Sequence, residues 1–413
     1  MSRKNNLIVR IRKYIKEGTF FRHVYIRFMF GFGIYKLLSP FFDALKVSKK
    51  KIVLTQFIGS DYGENPKYIC DYILSNKIDY ELVWLFDYCK NKKLAKFPRQ
   101  IKVVDFYSLK ALKELATAGV WIDNCRKSLF PPKKKDQVYL QTWHGSFPLK
   151  AIEKDAEKTL DAHYLNIART DSQIADAIIS GTSFMTGIIK RAFWFNGEIL
   201  EIGNPKCDIF FSEKKRNHAK LKVSEYYSLD SNSKIILYAP TFRKDFDFYP
   251  YRIDYFSIKT EFESKFDCRC AIIARLHPNL VQFSDTLNLP DFVINATLYD
   301  DMNELLCAAD LIITDYSSVM FEAILMNKIV FLFCMDLEKY ITEDRKLYLD
   351  PKMLPFPFAE NNKELLIAIE KFNNNTYQND IGLFKKKIGS YEQGTASRAV
   401  IDWIVKKQAQ NNG

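Results

Sequence analysis

From Lys51 onward the chain alternates short β-rich apolar runs with stretches of helical periodicity. Lys51–Phe57 (KIVLTQF), Glu81–Phe86 (ELVWLF), Ile101–Asp105, Gly119–Asp123 and Val138–Trp143 predict strands. Asn65 and Pro66 suit the N-cap and first residue of a helix reaching about Asn76, and Ser108–Ala118 predicts another. A polar, mainly helical stretch near Ser212–Tyr227 interrupts the pattern, which then resumes. Ile235–Ala239, Cys270–Leu276, Phe292–Asn295, Leu311–Asp315 and Ile329–Cys334 predict strands, with helices over Asp301–Ala309 and Ser317–Met326. Strands and helices in alternation give an α/β fold with parallel sheets covered on both faces. The simplest architecture is two Rossmann-like domains in tandem with an inter-domain cleft. The expected boundaries are an arm over 1–47, a first domain over 48–212, a second over 213–390 and a C-terminal helix over 391–413.

The arm has a different pattern. On a helical wheel centred on Ile11, Leu7, Ile8, Tyr14 and Ile15 share one face, Arg10, Arg12, Lys13 and Lys16 lie outside it, and only Val9 is misplaced. Phe20, Phe21, Val24, Tyr25, Ile26, Phe28, Met29 and Phe30 follow, with Arg22 and Arg27 among them. Charge sharpens this contrast: of a formal +12 over 413 residues, the first 50 residues carry +10 and the remainder is nearly neutral. A cation-rimmed apolar face suits a helix lying in an anionic headgroup layer, an expectation favoured over docking on the body. Nucleic acid is not expected as a partner, because no recognised binding module accompanies the charge. The weakly charged stretch Phe28–Phe42 is broken by Gly31, Gly33, Lys36 and Pro40 and is too short to span a bilayer.

Composition excludes other classes. With 47% hydrophobic and 15% aromatic residues the chain is not intrinsically disordered. Eight scattered cysteines without a C-x-x-C, and only five histidines, give no support for a zinc site or a disulfide framework. No metal or cofactor is expected. The P-loop and G-x-G-x-x-G patterns are absent, so ATPase and dinucleotide-dehydrogenase readings lack their phosphate-binding element.

Three clusters fall at predicted carboxyl ends of strands, where open α/β sheets bind ligands. Gln141–Ser146 (QTWHGS) places His144 beside Gly145 and Ser146, and a neutral imidazole suits removal of a proton from an alcohol. Arg275–Pro278 (RLHP) sets a cation and His277 at the end of a strand, fitting an anion. Asp310–Glu322 (DLIITDYSSVMFE) joins a strand to a helix through a turn holding Thr314, Ser317 and Ser318, a phosphate-binding arrangement that needs no glycine loop. Glu322, four residues after Ser318, shares its helix face and could accept both hydroxyls of a ribose. Each cluster alone also admits a structural role; together they describe a cleft for a nucleotide diphosphate. Asp300 and Asp301 fit a helix N-cap better than a metal site.

The chain resembles the CDP-glycerol glycerophosphotransferase family, the teichoic acid primases and polymerases with related capsule enzymes. The resemblance rests on YGENPK (62–67), QTWHGSFPLKAIEKD (141–155), GNPKCD (203–208), YAPTFR (238–243), RLHP (275–278) and the run Met302–Tyr340. It implies a fold like the two-domain GT-B glycosyltransferases. His144 and His277 would be the catalytic histidines of the first and second domains; Thr314, Ser317 and Ser318 the pyrophosphate-binding turn; and Glu322 the ribose-binding acid. Thr241, Arg243 and Arg275 would lie near the phosphates, and Gly145 and Ser146 near the substrate. Ser146 and Phe147 precede Pro148 here, where many members have Thr directly followed by Pro-Leu-Lys, a departure that bears on the acceptor.

The implied reaction is attack of an acceptor alcohol on the β-phosphorus of CDP-glycerol, releasing CMP. The implied partners are CDP-glycerol or CDP-ribitol, a lipid-linked saccharide or polymer acceptor, and an anionic membrane at whose cytoplasmic face the enzyme sits peripherally. Transfer from a nucleotide sugar, and a non-catalytic membrane scaffold, are the alternatives. The length is closer to primases that add one glycerophosphate than to longer polymerases.

Overall fold

The computed structural model describes residues 20–31, 33–88, 97–128, 130–243, 247–276, 280, 289–343 and 346–411. The patterned segment 7–16 and His277 lie outside them. Seven strands form the first sheet: β1 (Ser48–Thr55), β2 (Glu81–Phe86), β3 (Lys102–Asp105), β4 (Ala118–Asp123), β5 (Val138–Gln141), β6 (Ala177–Ser180) and β7 (Glu198–Glu201), in the order β3-β2-β1-β4-β5-β6-β7. Central β1 pairs parallel with β2 and β4, setting Val53 against Val83 and Trp121. All six residues of β4 are buried, which is why this strand reads as an apolar run up to its last residue, Asp123.

The second sheet contains β8 (Lys234–Tyr238), β9 (Cys270–Ala274), β10 (Val293–Asn295), β11 (Leu311–Thr314), β12 (Ile329–Phe333) and β13 (Phe358–Ala359), in the order β10-β9-β8-β11-β12-β13. Its central pairings are also parallel. The winding therefore reverses between β8 and β11, as it does between β1 and β4 in the first sheet, and the carboxyl ends of such paired strands open a crevice.

By compactness the chain divides into two units: 1–143 with 170–178 and 400–413, and 144–169 with 179–399. In the second unit Phe147 stacks on Phe184 with ring centroids 4.3 Å apart and packs at the same distance on Phe321.

Most elements start where capping chemistry places them. Ser108 accepts the Ala111 N–H at 3.0 Å to open the helix Leu109–Thr117, and Ser212 and Asp301 cap Glu213–Tyr226 and Met302–Ala308. Asn65 differs from expectation. The helix Glu64–Ser75 has Gly63 as its N-cap without a side-chain bond, and Asn65 is fully buried with its amide directed elsewhere. Strand β5 also stops at Gln141, two residues early, because Trp143 takes a left-handed backbone with φ of 52°.

Arg22 of the arm pairs with Asp105 and, at 3.2 Å, with Asp87. Among the described residues no helix is long and apolar enough to cross a membrane.

Candidate functional site

The turn that carries His144 is built by its predecessors. Asn65 donates through Nδ2 to the carbonyls of Thr142 (3.3 Å) and Trp143 (3.1 Å). Gln141 Oε1 accepts the Trp143 N–H at 3.0 Å, and the Thr142 N–H and hydroxyl both donate to the Asp123 carbonyl. The Arg126 guanidinium lies 5.5 Å from the Trp143 ring. These contacts hold a tryptophan in the left-handed region, which only an over-determined surrounding sustains. His144 follows, half-buried, with Gly145 at a place where an added Cβ would meet nothing.

Ser146 is almost entirely buried. Its hydroxyl donates to Glu392 and accepts from Asn204 Nδ2 at 2.6 Å, while its carbonyl accepts the Thr182 hydroxyl at 2.7 Å. Asn204 donates to Glu392 through its N–H (2.9 and 3.0 Å) and its amide (3.0 Å). Burial pushes the Glu392 carboxyl up to about 7, although the Ser146 and Asn204 donors pull the other way.

The remaining predicted residues with described positions gather at the carboxyl ends of the second sheet. Thr314 is fully buried and donates to the Ala239 carbonyl at 2.7 Å, tying β11 to the end of β8. Ser317 and Ser318 are partly exposed at the start of the helix Val319–Ala323, and Ser318 makes no side-chain cap bond. Thr241 donates its N–H to Asp315 at 2.8 Å, and its hydroxyl oxygen is buried with no partner among the described residues. Arg275 anchors through Nη1 to the carbonyls of Ala296 (3.2 Å) and Tyr299.

Arg243 is a buried pin. It forms ion pairs with Asp315 (2.9 Å) and Asp336 (2.6 Å), donates to the Thr241 carbonyl at 2.6 Å, and lies over the rings of Tyr316 and Tyr340. Burial opposes its charge, but the two aspartates more than offset this and hold its pKa above the ordinary value. Its work is to join the ends of β8, β11 and β12. Glu322 is buried too, and Lys206 Nζ lies 2.8 Å from its Oε1. Lys206 belongs to the GNPKCD run, and its carbonyl is held by Asn303 at 2.6 Å. Sequence alone assigns Asn65, Asn204, Lys206 and Glu392 no chemical role; YGENPK was the signal available for Asn65 and GNPKCD for Asn204 and Lys206.

Among the described residues no group of three or more His, Cys, Asp or Glu is arranged for a metal ion, and the seven described cysteines are free thiols.

The sequence matches the profile of the family described as CDP-Glycerol:Poly(glycerophosphate) glycerophosphotransferase over residues 37–406. It is 30% identical over 384 residues to a teichoic acid poly(glycerol phosphate) polymerase of Bacillus spizizenii, covering 90% of this chain and 96% of that one. It is 29% identical to a teichoic acid glycerol-phosphate transferase of Staphylococcus aureus, covering 90% and 96%. Of the Bacillus subtilis poly(glycerol phosphate) polymerase, 29% identical, it spans 51%. Because the Bacillus spizizenii polymerase is spanned almost whole, length does not separate polymerases from primases. Among solved structures, the wall teichoic acid polymerase TagF soaked with CDPG superposes with a TM-score of 0.78 at 28% identity, covering 92% of this chain and 94% of that one. The fold and the likeness along nearly the whole chain agree: this protein belongs to the CDP-glycerol:poly(glycerophosphate) glycerophosphotransferase family, an α/β enzyme family of teichoic acid synthesis.

Proposed function

We propose that the protein moves glycerol phosphate from CDP-glycerol to a hydroxyl of a membrane-linked acceptor and releases CMP. The observation that carries this reading is the gathering of Thr241, Thr314, Ser317, Ser318 and the Lys206–Glu322 pair at the carboxyl ends of the second sheet, the end at which open α/β sheets bind nucleotides. The likeness to TagF soaked with CDPG supports the same donor.

His144 takes the acceptor proton, since a neutral alcohol attacks phosphorus poorly and an imidazole is a competent base near pH 7. The leaving CMP is a phosphate whose second pKa is about 6, so it departs without full protonation. Ser317, Ser318 and the helix start behind them stabilise the pyrophosphate oxygens, His277 neutralises charge on the leaving side, and Glu322 holds the ribose. Purified enzyme, offered CDP-glycerol, CDP-ribitol and a nucleotide sugar with a lipid-linked acceptor, is expected to release CMP from CDP-glycerol. His144→Ala is expected to lower turnover by 10² to 10⁴-fold. Near-wild-type turnover in that variant would remove the base assignment, and release of UDP from the sugar donor would replace the reaction.

The arm holds the enzyme on an anionic leaflet. Val24, Phe28, Leu37 and Phe41 are 50 to 80% exposed, with Arg27 and Lys36 exposed beside them, a cation-rimmed apolar surface. A Phe28→Glu/Leu37→Glu/Phe41→Glu variant is expected to leave liposomes containing anionic lipid while turning over a soluble acceptor analogue at the wild-type rate. Undiminished sedimentation with the liposomes would defeat this assignment.

A further inference from the structure

We infer that Glu392 is a positioning residue that sets the His144 turn and the Lys206–Glu322 pair together. The inference rests on the assignment of His144 and Glu322 made above. Glu392 sits 246 residues along the chain from Ser146 and reaches it only through the fold.

One of its oxygens, Oε1, receives the Ser146 hydroxyl, the Asn204 side-chain amide and the Asn204 N–H; Oε2 receives the Asn204 N–H alone. Ser146 stands two residues after His144, and Asn204 two residues before Lys206. The same carboxylate therefore fixes the segment bearing the base and the segment bearing the partner of the ribose-binding acid.

The surroundings leave these segments little room. A Cβ on Gly181 would come within 2.4 Å of the Ser146 hydroxyl and 2.6 Å of the Asn204 amide, and one on Gly203 within 2.6 Å of Glu392 Oε2. Gly203 also takes φ of 81°, reserved in practice for glycine. Glu392 itself comes from a segment anchored by the Tyr391 N–H on the Gly181 carbonyl at 2.8 Å and the Ser183 N–H on the Gly389 carbonyl at 2.8 Å. A geometric error of about 1 Å at a reacting group costs on the order of 10²-fold in rate.

Three variants test this by steady-state kinetics with CDP-glycerol and by donor binding. Glu392→Ala is expected to lose about 10²-fold in kcat/KM, with weakened donor binding because Lys206 is released. Glu392→Gln keeps an acceptor at the Oε1 position for all three donors and is expected to recover to within about 10-fold of wild type. Ser146→Ala cuts the His144 side loose from Glu392 while Asn204 keeps its bonds to the carboxylate, and is expected to lower kcat with a smaller loss of donor affinity than Glu392→Ala. Equal kinetics for Glu392→Ala and wild type overturn the inference. So does a Glu392→Gln variant as impaired as Glu392→Ala, or, should the alanine variant fail to fold, wild-type kcat in Ser146→Ala. If His144→Ala stays active, the catalytic reading fails instead, and the effects of the Glu392 variants then report on donor binding alone.

Discussion

Two buried charges in the second unit are held by opposite means. Arg243 lies between two carboxylates and among three tyrosine rings, so every formal charge in its cluster has a counter-charge within 2.9 Å. Glu392 is equally buried but meets only neutral donors, with Asp208 near enough to push its carboxyl further up. In the first arrangement the two aspartates hold the arginine in its charged form, its pKa above the ordinary value. The second holds a proton in acid and gives it up near neutrality. The Arg243 cluster joins strand ends, a permanent structural task. The Glu392 cluster ties together the segments of Ser146 and Asn204, to which the proposed mechanism gives the base and the partner of the ribose-binding acid, and a neutral amide is expected to substitute for much of it.

Removing one member of the ion-paired cluster has the largest expected effect. Arg243→Ala leaves Asp315 and Asp336 buried without their cation, at a cost of about 3 to 5 kcal/mol. Chemical denaturation of the variant measures this. Adding Asp315→Asn and Asp336→Asn is expected to return part of the loss, because much of the penalty is the stranded charge and not the missing arginine. If the triple variant is less stable than Arg243→Ala by the sum of separate losses, the contrast drawn here is wrong.

Glu392 predicts a smaller effect with a sign set by pH. Its folded pKa of about 7 lies above the ordinary carboxyl value of 4.5. Between those values the unfolded chain has released a proton that the folded chain keeps. The stabilisation is full below pH 4.5 and is lost as pH rises through about 7. At 1.36 kcal/mol per pKa unit the difference is about 3 kcal/mol. Asp123 of the first unit, pushed by burial up to about 6 despite Lys127, adds a slope of the same sign in both proteins. Unfolding free energies measured from pH 4.5 to 8 are therefore expected to fall more steeply for wild type than for Glu392→Gln. Parallel curves would place Glu392 in the ordinary range.

How much of this was legible in sequence follows from the range of the interactions. Strands β2, β4 and β11 stood out because buried parallel strands are continuous apolar runs, and Ser108, Ser212 and Asp301 act within three residues of themselves. Strands β6 and β7 passed unread: AIIS offers only three apolar residues and EILE is acidic at both ends and exposed there. Thr314, Ser317 and Ser318 could be grouped from sequence because the strand-turn-helix that bears them is contiguous. Glu392 could not be found, because nothing near it in sequence shows that its partners are Ser146 and Asn204. Arg243 and Glu322 were visible as charges, but their pairing with Asp315, Asp336 and Lys206 was not.

Asn65 gives the smallest predicted effect and the finest test of how the neutral, hydrogen-bonded regions work. Its position beside Pro66 suggested a cap, yet a fully buried amide donating to two carbonyls is worth more in the turn before His144. Asn65→Ala takes the side-chain donor from the Thr142 carbonyl and leaves the Trp143 carbonyl to the Thr142 hydroxyl, and is expected to cost about 1 to 3 kcal/mol. Asn65→Asp keeps the shape but turns an oxygen toward the Thr142 and Trp143 carbonyl oxygens, so it is expected to be the worse of the two despite being closer in size. Denaturation ranks the pair, and the same variants assayed for CMP release are expected to lose rate in the same order, because the left-handed Trp143 has lost one of the restraints that hold it there. An aspartate variant as stable and active as wild type would mean that the turn is held by Gln141 and Thr142 alone.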